Sequence, residues 1–209
     1  MERLARLTLS LALAVLVIAS AAGAAEFSVH LLGDFAPFIS GEAGSGPGAP
    51  DYSDAFDAGW GGALEIEGRL SSRISLLAGV GYERFNGDTY KGFEFDDLEV
   101  VPVYGGVKLH LFPGLKRWDP YLRLDVGMAH ISSVDVKYSE YGLKGRYWDS
   151  SWEPMFAAGV GLEYRFGKLG LEMEVKLRRI SSPDSSLGSA SRAGAMWTVP
   201  VRVGIVYHF

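Results

Sequence analysis

The sequence predicts an all-β protein, an eight-stranded antiparallel up-and-down β-barrel that spans a membrane. Three observations predict it: segments in which apolar and polar side chains alternate, connections that alternate in length, and aromatic residues at segment ends. The alternation is clearest in residues 156–178, on both sides of a turn at Gly167. Side chains of a β-strand point to opposite faces with period two, so each half has one apolar face and one charged or small face. Each half runs about ten residues, the length at which a tilted strand crosses the hydrocarbon core of a bilayer.

The amino-acid composition limits which binding partners and which stabilising interactions are expected. The chain has 209 residues, 27 glycines, no cysteine and a formal net charge of −5. A net negative charge gives no support for a nucleic-acid partner. Without disulfides, stability must come from burial and from a closed ladder of backbone hydrogen bonds. No motif implies a cofactor, and the acidic loop residues do not have the spacing of a calcium loop, so no metal site is expected.

The N-terminus predicts a targeting segment. Arg3 and Arg6 precede an apolar run over 7–18, and small residues fill 20–25. This is the pattern of a secretory signal peptide, because the apolar run is too short to span a bilayer. We therefore predict that residues 1–25 are cleaved after export into the periplasm. Residues 26–209 then form one β-barrel domain of the outer membrane.

Eight strands follow in the predicted domain. They are expected at 27–35, 59–70, 74–85, 98–111, 121–131, 156–166, 169–178 and 197–209. The connections between them are alternately long and short. Outer-membrane barrels have this arrangement, with short turns on the periplasmic side and long loops outside.

The direction of the apolar face distinguishes a membrane barrel from a soluble lipid-binding barrel. Aromatic residues of the apolar face gather at the strand ends: Phe35, Trp60, Tyr82, Phe156 and Trp197 at one rim, and Phe27, Tyr164, Phe166, Tyr207 and Phe209 at the other. Such belts suit a bilayer interface. The opposite face is rich in glycine, which makes room for large side chains inside a narrow eight-stranded barrel. Both features predict that the apolar face points outward to lipid.

The charged face is then the barrel interior. It holds eight acidic and seven basic residues, namely Asp34, Glu65, Glu67, Glu83, Asp125, Glu163, Glu172, Glu174, Arg69, Lys108, Arg123, Arg165, Lys176, Arg178 and Arg202. Unpaired charges in so narrow a space would be costly, so near balance favours a network of ion pairs that plugs the barrel. A polar path for protons or ions is the alternative.

Three segments carry a resemblance to a known superfamily. Residues 101–109 (VPVYGGVKL) and 119–129 (DPYLRLDVGMA) resemble the central strands of small outer-membrane barrels of the OmpA/OmpX/OmpW type, and 157–166 is similar to their sixth strand. The terminal Tyr207 and Phe209 resemble the aromatic signal read by the barrel-assembly machinery. The resemblance implies a monomeric barrel among outer-membrane lipid and lipopolysaccharide. It implies no activity.

His130, Ser132 and Glu140 are the only candidates for catalysis. A His-x-Ser pair with a later Glu is similar to the triad of outer-membrane lipid A deacylases, in which the serine attacks an acyl ester. In that family the pair lies near the C-terminus, whereas about eighty residues follow here, and the spacing to Glu140 also differs. We therefore expect no enzymatic activity.

Three functions remain open from the sequence. The first is a non-enzymatic role in envelope integrity or surface interaction through the extracellular loops. The second is a porin-like channel for small apolar solutes, as the OmpW side of the resemblance implies, with Leu77, Phe85, Tyr104 and Met155 in the inward-facing row. The third is a hydrolase like the lipid A deacylases. The loop cations Lys137, Lys144 and Arg146 are candidates for contact with lipopolysaccharide phosphates.

Overall fold

The computed structural model describes residues 26–46, 48–115, 117–138, 143–186 and 192–209. The predicted signal peptide, 1–25, lies outside these ranges. In chain order the elements are β1 (Glu26–Ala36), β2 (Phe38–Ser40), α1 (Tyr52–Ala55), β3 (Gly59–Arg69), β4 (Ile74–Phe85), β5 (Thr89–Tyr90), β6 (Phe93–Phe95), β7 (Leu98–His110), β8 (Trp118–Ile131), β9 (Val134–Tyr138), β10 (Leu143–Trp148), β11 (Ser151–Phe166), β12 (Leu169–Ile180), β13 (Met196–Thr198) and β14 (Val201–His208).

Eight of these strands close into a barrel. Their order is β11-β8-β7-β4-β3-β1-β14-β12, and β12 pairs again with β11. Every neighbouring pair is antiparallel, and most neighbours follow one another along the chain. Closure leaves no open edge, so the backbone groups of the barrel wall bond to one another as a lipid environment requires. The predicted fold class, an eight-stranded up-and-down antiparallel barrel, is confirmed.

The strands differ most from the predicted ones at three places. β8 begins at Trp118, three residues before its predicted start. β11 begins at Ser151, five residues earlier than predicted, because the added segment pairs with the outer end of β8. The last predicted strand is divided, because Val199 and Pro200 interrupt it between β13 and β14. Proline has no N–H to give to a strand ladder, and the N–H of Val199 donates instead to the carbonyl oxygen of Pro37 at 3.0 Å.

The long loops form a second sheet, which the sequence analysis did not predict. Strands β10, β9, β6 and β5 pair in that order into a four-stranded antiparallel sheet, here called the loop sheet. It joins the loop between β4 and β7 to the loop between β8 and β11. The loop sheet and helix α1 together form the outer cap of the barrel.

An apolar core fixes the outer cap to the barrel. Tyr52, Phe56 and Trp148 of the cap are buried together with Leu77 and Phe85 of the barrel. The ring of Trp148 lies 5.6 Å from that of Tyr52 and 5.7 Å from that of Phe56, measured between centroids. Aromatic pairs at such distances add stabilisation beyond their buried area. The cap is therefore packed as a folded unit, continuous with the outer end of the barrel.

The outer wall of the barrel is apolar and exposed. Trp60 is 65% exposed, Leu124 64% and Met173 60%, and all three occupy positions predicted to face lipid. Paired aromatic rings lie at both ends, with Phe35 and Trp60 at the loop end and Trp118 and Tyr164 at the short-turn end. Among the described residues, no helix is long and apolar enough to cross a membrane.

Candidate functional site

The barrel interior holds the densest group of charged side chains. All fifteen predicted interior charges point into the barrel, and all of them are buried except Arg69 and Arg165, which are partly exposed at the short-turn end. Period-two alternation places them there, because each lies an even number of residues from the other inward residues of its strand. Charges buried in so narrow a space are tolerated only when they are paired.

A central cluster surrounds Arg123. Its guanidinium donates to both carboxylate oxygens of Glu65 at 2.9 Å, to Asp125 at 2.7 Å and to Glu174 at 3.1 Å. Arg202 also donates to Glu65, at 2.8 Å. Bidentate arginine–carboxylate pairs are among the strongest charge-assisted hydrogen bonds. Five buried charges of both signs thus meet in the middle of the barrel.

Tyr104 extends the central cluster. Its hydroxyl donates to Glu65 at 2.7 Å, and its ring lies 5.2 Å from the Nζ of Lys176 and 5.6 Å from the Cζ of both Arg123 and Arg202. The ring approaches Gly79 so closely that a Cβ there would lie 2.7 Å from it. Only glycine leaves room for the tyrosine at this position.

A second cluster fills the half of the barrel nearer the short turns. The Nζ of Lys108 lies 2.7 Å from Glu172 and 2.9 Å from Glu67. His30 pairs with Glu172 at 2.6 Å, and Tyr121 donates a hydrogen bond to the same carboxylate. Lysine between two carboxylates neutralises half of their charge, and the neighbouring donors satisfy the remaining lone pairs.

Ion pairs also close both ends of the interior. At the loop end, Arg178 donates to both oxygens of Glu83 at 2.6 Å. At the short-turn end, Glu163 lies 2.7 Å from His208 and 2.8 Å from Arg165. The network therefore runs through the full length of the barrel.

Five members of this network are not among the fifteen predicted charges: His30, His110, Asp119, Tyr121 and His208. His110 bonds to Asp119 at 2.9 Å, and both are buried. Four of the five occupy inward positions of predicted strands, so alternation alone could have found them. Asp119 was missed because β8 begins at Trp118, three residues before its predicted start.

The outer cap offers an exposed surface at the loop sheet. Phe93 of β6 and Tyr138 of β9 pack against each other with tilted rings, their centroids 4.9 Å apart. Phe93 is 44% exposed, and Leu143, which pairs in register with Tyr138, is 68% exposed. These three side chains form a small apolar patch on the hydrogen-bonded strands β6, β9 and β10, here called the cap patch.

Ion pairs of the outer cap use the cations that were candidates for lipopolysaccharide phosphates. Lys144 lies 3.0 Å from Asp96, Lys137 lies 3.5 Å from Glu94, and Arg146 pairs with Asp135. Exposed pairs of this kind contribute about 0–1 kcal/mol each. The three cations therefore meet carboxylates of the cap itself.

At the loop end, pKa shifts of three groups favour the charge state that each group ordinarily has at neutral pH. Hydrogen bonds from the Gly87 N–H and from Arg84 lower the pKa of Asp97, which stays ionised. Burial raises the pKa of Tyr52 and of Tyr147, so both phenols stay neutral. No group of three or more metal-ligating side chains occurs in the part of the chain that the structure describes.

The structure separates the candidate catalytic residues. His130 bonds through Nε2 to the hydroxyl of Ser150 at 2.8 Å, and its ring packs edge-on against Trp152. Ser132 instead accepts a hydrogen bond from the backbone N–H of Glu99 at 2.9 Å. Glu140 lies outside the described residues. The nucleophile–base contact that a triad requires is absent from the predicted pair, and Ser150 takes the place of Ser132 beside the histidine.

We expect that His130→Ala, Ser132→Ala and Ser150→Ala leave the acylation of lipid A unchanged in expressing cells. Ser150 lies beside His130, and within the described residues no acidic side chain bonds to the imidazole to orient it for proton transfer. Mass spectrometry of extracted lipid A measures this directly. An acyl chain that is lost in cells with the unaltered protein, and retained with any of the three variants, would establish a hydrolase.

The comparisons with known proteins agree with the fold. No protein-family model matches the sequence, and no curated protein matches it. Solved structures do match. OprG, an outer-membrane protein of Pseudomonas aeruginosa, is similar with a TM-score of 0.61 and 12% identity over 88% of this chain and 95% of that chain.

Two further solved structures are similar over nearly their whole length. Neisserial surface protein A (NspA) has a TM-score of 0.54 and 11% identity over 88% of this chain and 97% of that chain. Ail, the attachment invasion locus protein of Yersinia pestis, has a TM-score of 0.53 and 12% identity over 88% of this chain and 98% of that chain. The chain therefore has the fold of the small eight-stranded outer-membrane β-barrels, the fold that the OmpA/OmpX/OmpW-type resemblance implied.

Proposed function

We propose that the chain is a closed, non-enzymatic barrel of the outer membrane that acts in surface interaction or envelope integrity through its outer cap. Its likeness in fold to outer-membrane proteins supports this location. In this proposal residues 1–25 direct export and are cleaved, and the barrel-assembly machinery reads Tyr207 in β14 and Phe209 directly after it. The barrel then sits as a monomer among outer-membrane lipids.

The filled interior is the observation that carries the proposal. A channel needs a continuous open path, whereas buried ion pairs occupy the barrel from Glu83 to Glu163. The inward apolar residues Leu77, Phe85 and Met155, which a channel for apolar solutes would use, belong to the packed core beneath the cap. A plugged barrel serves as a scaffold, and its function then lies on its surfaces.

The outer cap supports a role in surface interaction. Functional residues often lie on loops that a rigid scaffold positions, and the four-stranded loop sheet holds the cap patch in a fixed geometry. Exposed aromatic side chains bury a large area at low conformational cost, and interfaces are enriched in them. The names of NspA and Ail place those proteins at the cell surface and in attachment, respectively.

The cap patch can be tested with expressing cells. We expect the double variant Phe93→Ser, Tyr138→Ser to reduce attachment of the cells to polystyrene and to protein-coated surfaces, because it removes both aromatic rings of the cap patch. The matched control is Phe112→Ser, which removes a ring of 60% exposure from a short turn at the opposite end of the barrel. Gel mobility with and without heating checks that each variant folds.

Attachment and detergent sensitivity are then compared between the cap variant, the control and cells without the protein. The proposal is supported when the cap variant resembles cells without the protein and the control resembles the unaltered protein. Equal behaviour of the cap variant and the unaltered protein in both assays would contradict it.

A further inference from the structure

A groove runs along the apolar outer wall where β8, β11 and β12 meet. It has a volume of about 430 Å³ and is lined chiefly by Leu124, Val126, Phe156, Ala158, Leu177 and Trp197. Ala158 lies in register between Leu124 of β8 and Leu177 of β12. Its methyl group is much shorter than the side chains around it, so a depression forms above it. The groove has the shape and chemistry to hold an acyl chain.

Arg179 stands at the loop end of this groove. It is the residue before the last one in β12, and it lies in register between Phe156 of β11 and Trp197 of β13. A charge on the lipid face costs about 2–4 kcal/mol at the midplane of such a barrel but only about 0–1 near the interface. The position of Arg179 at the strand end is therefore suited to the level of lipid headgroups.

Arg179 has no anionic partner among the described residues, in contrast to the other charges of the outer wall. Arg84 pairs with Asp97, and Glu99 accepts a hydrogen bond from Tyr82. A guanidinium binds phosphate oxygens in a bidentate geometry, and phosphate is the anion that lipid headgroups supply. The wall thus combines an apolar groove with one unpaired cation at the end of that groove.

We propose that this groove binds a phosphorylated, acylated lipid of the outer leaflet, namely the lipid A part of lipopolysaccharide. An acyl chain lies over Ala158 between Leu124 and Leu177, and a lipid A phosphate pairs with Arg179. The assignment to lipid A rests on the proposed outer-membrane orientation, which places the loop end of β12 in the outer leaflet. A glycerophospholipid presents similar chemistry and is the competing ligand in the test.

Native mass spectrometry of the full barrel in detergent measures the binding. Purified bis-phosphorylated lipid A, its dephosphorylated form and phosphatidylethanolamine are titrated separately. We expect retention of bis-phosphorylated lipid A and a loss of about tenfold in its affinity with Arg179→Gln, the factor for one charge-assisted hydrogen bond. Ala158→Phe fills the groove and is expected to weaken binding as well. Leu171→Phe, on the same face of β12 toward the short turns, is the control and should bind normally.

The outcomes test the site and the choice of lipid separately. Equal affinity of the unaltered protein and Arg179→Gln for lipid A, or equal affinity for its two phosphorylation states, would overturn the site. Stronger retention of phosphatidylethanolamine than of lipid A would overturn the choice of lipid. The assay uses purified barrel, so it is independent of cell attachment. The Phe93→Ser, Tyr138→Ser variant should bind lipid A normally, which separates a failure of this site from a failure of the cap proposal.

Discussion

Replacing Arg123 with methionine is expected to lower the free energy of unfolding by about 3–5 kcal/mol, the cost of removing one partner from a buried ion pair. The substitution leaves Glu65, Asp125 and Glu174 without the guanidinium that now donates to all three. Methionine has a similar length, so lost packing contributes little. Denaturant unfolding of the barrel in lipid bilayers measures the change.

Arg165→Met is the matched control for this prediction. Arg165 belongs to the same network but is partly exposed to water at the short-turn end, and its partners Glu163 and Asp119 keep His208 and His110 when the arginine is removed. We therefore expect a loss of about 1 kcal/mol or less. Equal losses at the two positions would contradict the conclusion that the centre of the barrel is a sealed ionic core.

Val203→Arg is expected to destabilise the barrel by about 2–4 kcal/mol, because it places a charge in hydrocarbon near the midplane. Val203 is exposed on the outer wall and lies in register between Gly33 of β1 and Met173 of β12. Its neighbours along β14 on the same face are Val201 and Ile205, which offer no polar partner. Refolding yield into bilayers and the free energy of unfolding both report the effect.

Two controls make this second prediction specific to depth and charge. Val203→Leu changes size without charge and should fold normally. Phe166→Arg places the same charge at the short-turn end of β11 and should cost about 0–1 kcal/mol. If Val203→Arg and Phe166→Arg had the same effect, the outer wall would not be a lipid-facing surface with a midplane near Val203.

The alternation of apolar and polar side chains predicted the barrel, because this pattern depends only on neighbouring residues of the same strand. In β4 the predicted bounds, 74–85, agree with the structure, and in β3 the inward positions of Glu65 and Glu67 follow from period two alone. A lipid environment strengthens the rule, because an inward charge that slipped by one residue would face hydrocarbon. The pattern that distinguishes the inner from the outer face of the barrel wall is therefore repeated at every second residue of each strand.

The partners of the interior charges could not be predicted in the same way. Glu83 and Arg178 are 95 residues apart along the chain, and they meet across the barrel through two predicted strands whose relative stagger is not local information. His130 was assigned to Ser132 for proximity in sequence, whereas the approach of β11 to β8 brings Ser150 to it. These pairings depend on the register of the closed barrel.

The loop sheet was missed for a different reason. Thr89–Tyr90 and Phe93–Phe95 contain two and three residues, too few to display a period of two. Their order comes from pairing with β9 and from the aromatic core around Trp148. Such structure arises from packing between loops that are distant in sequence, so neither loop predicts it alone.

Conductance in a planar lipid bilayer tests the closed barrel most directly. Folded monomer, verified by its gel mobility before and after heating, is inserted under a range of voltages in concentrated potassium chloride. The ionic core from Glu83 to Glu163 predicts a silent membrane with no unitary steps. Reproducible unitary steps from the folded monomer would contradict the account and establish a channel.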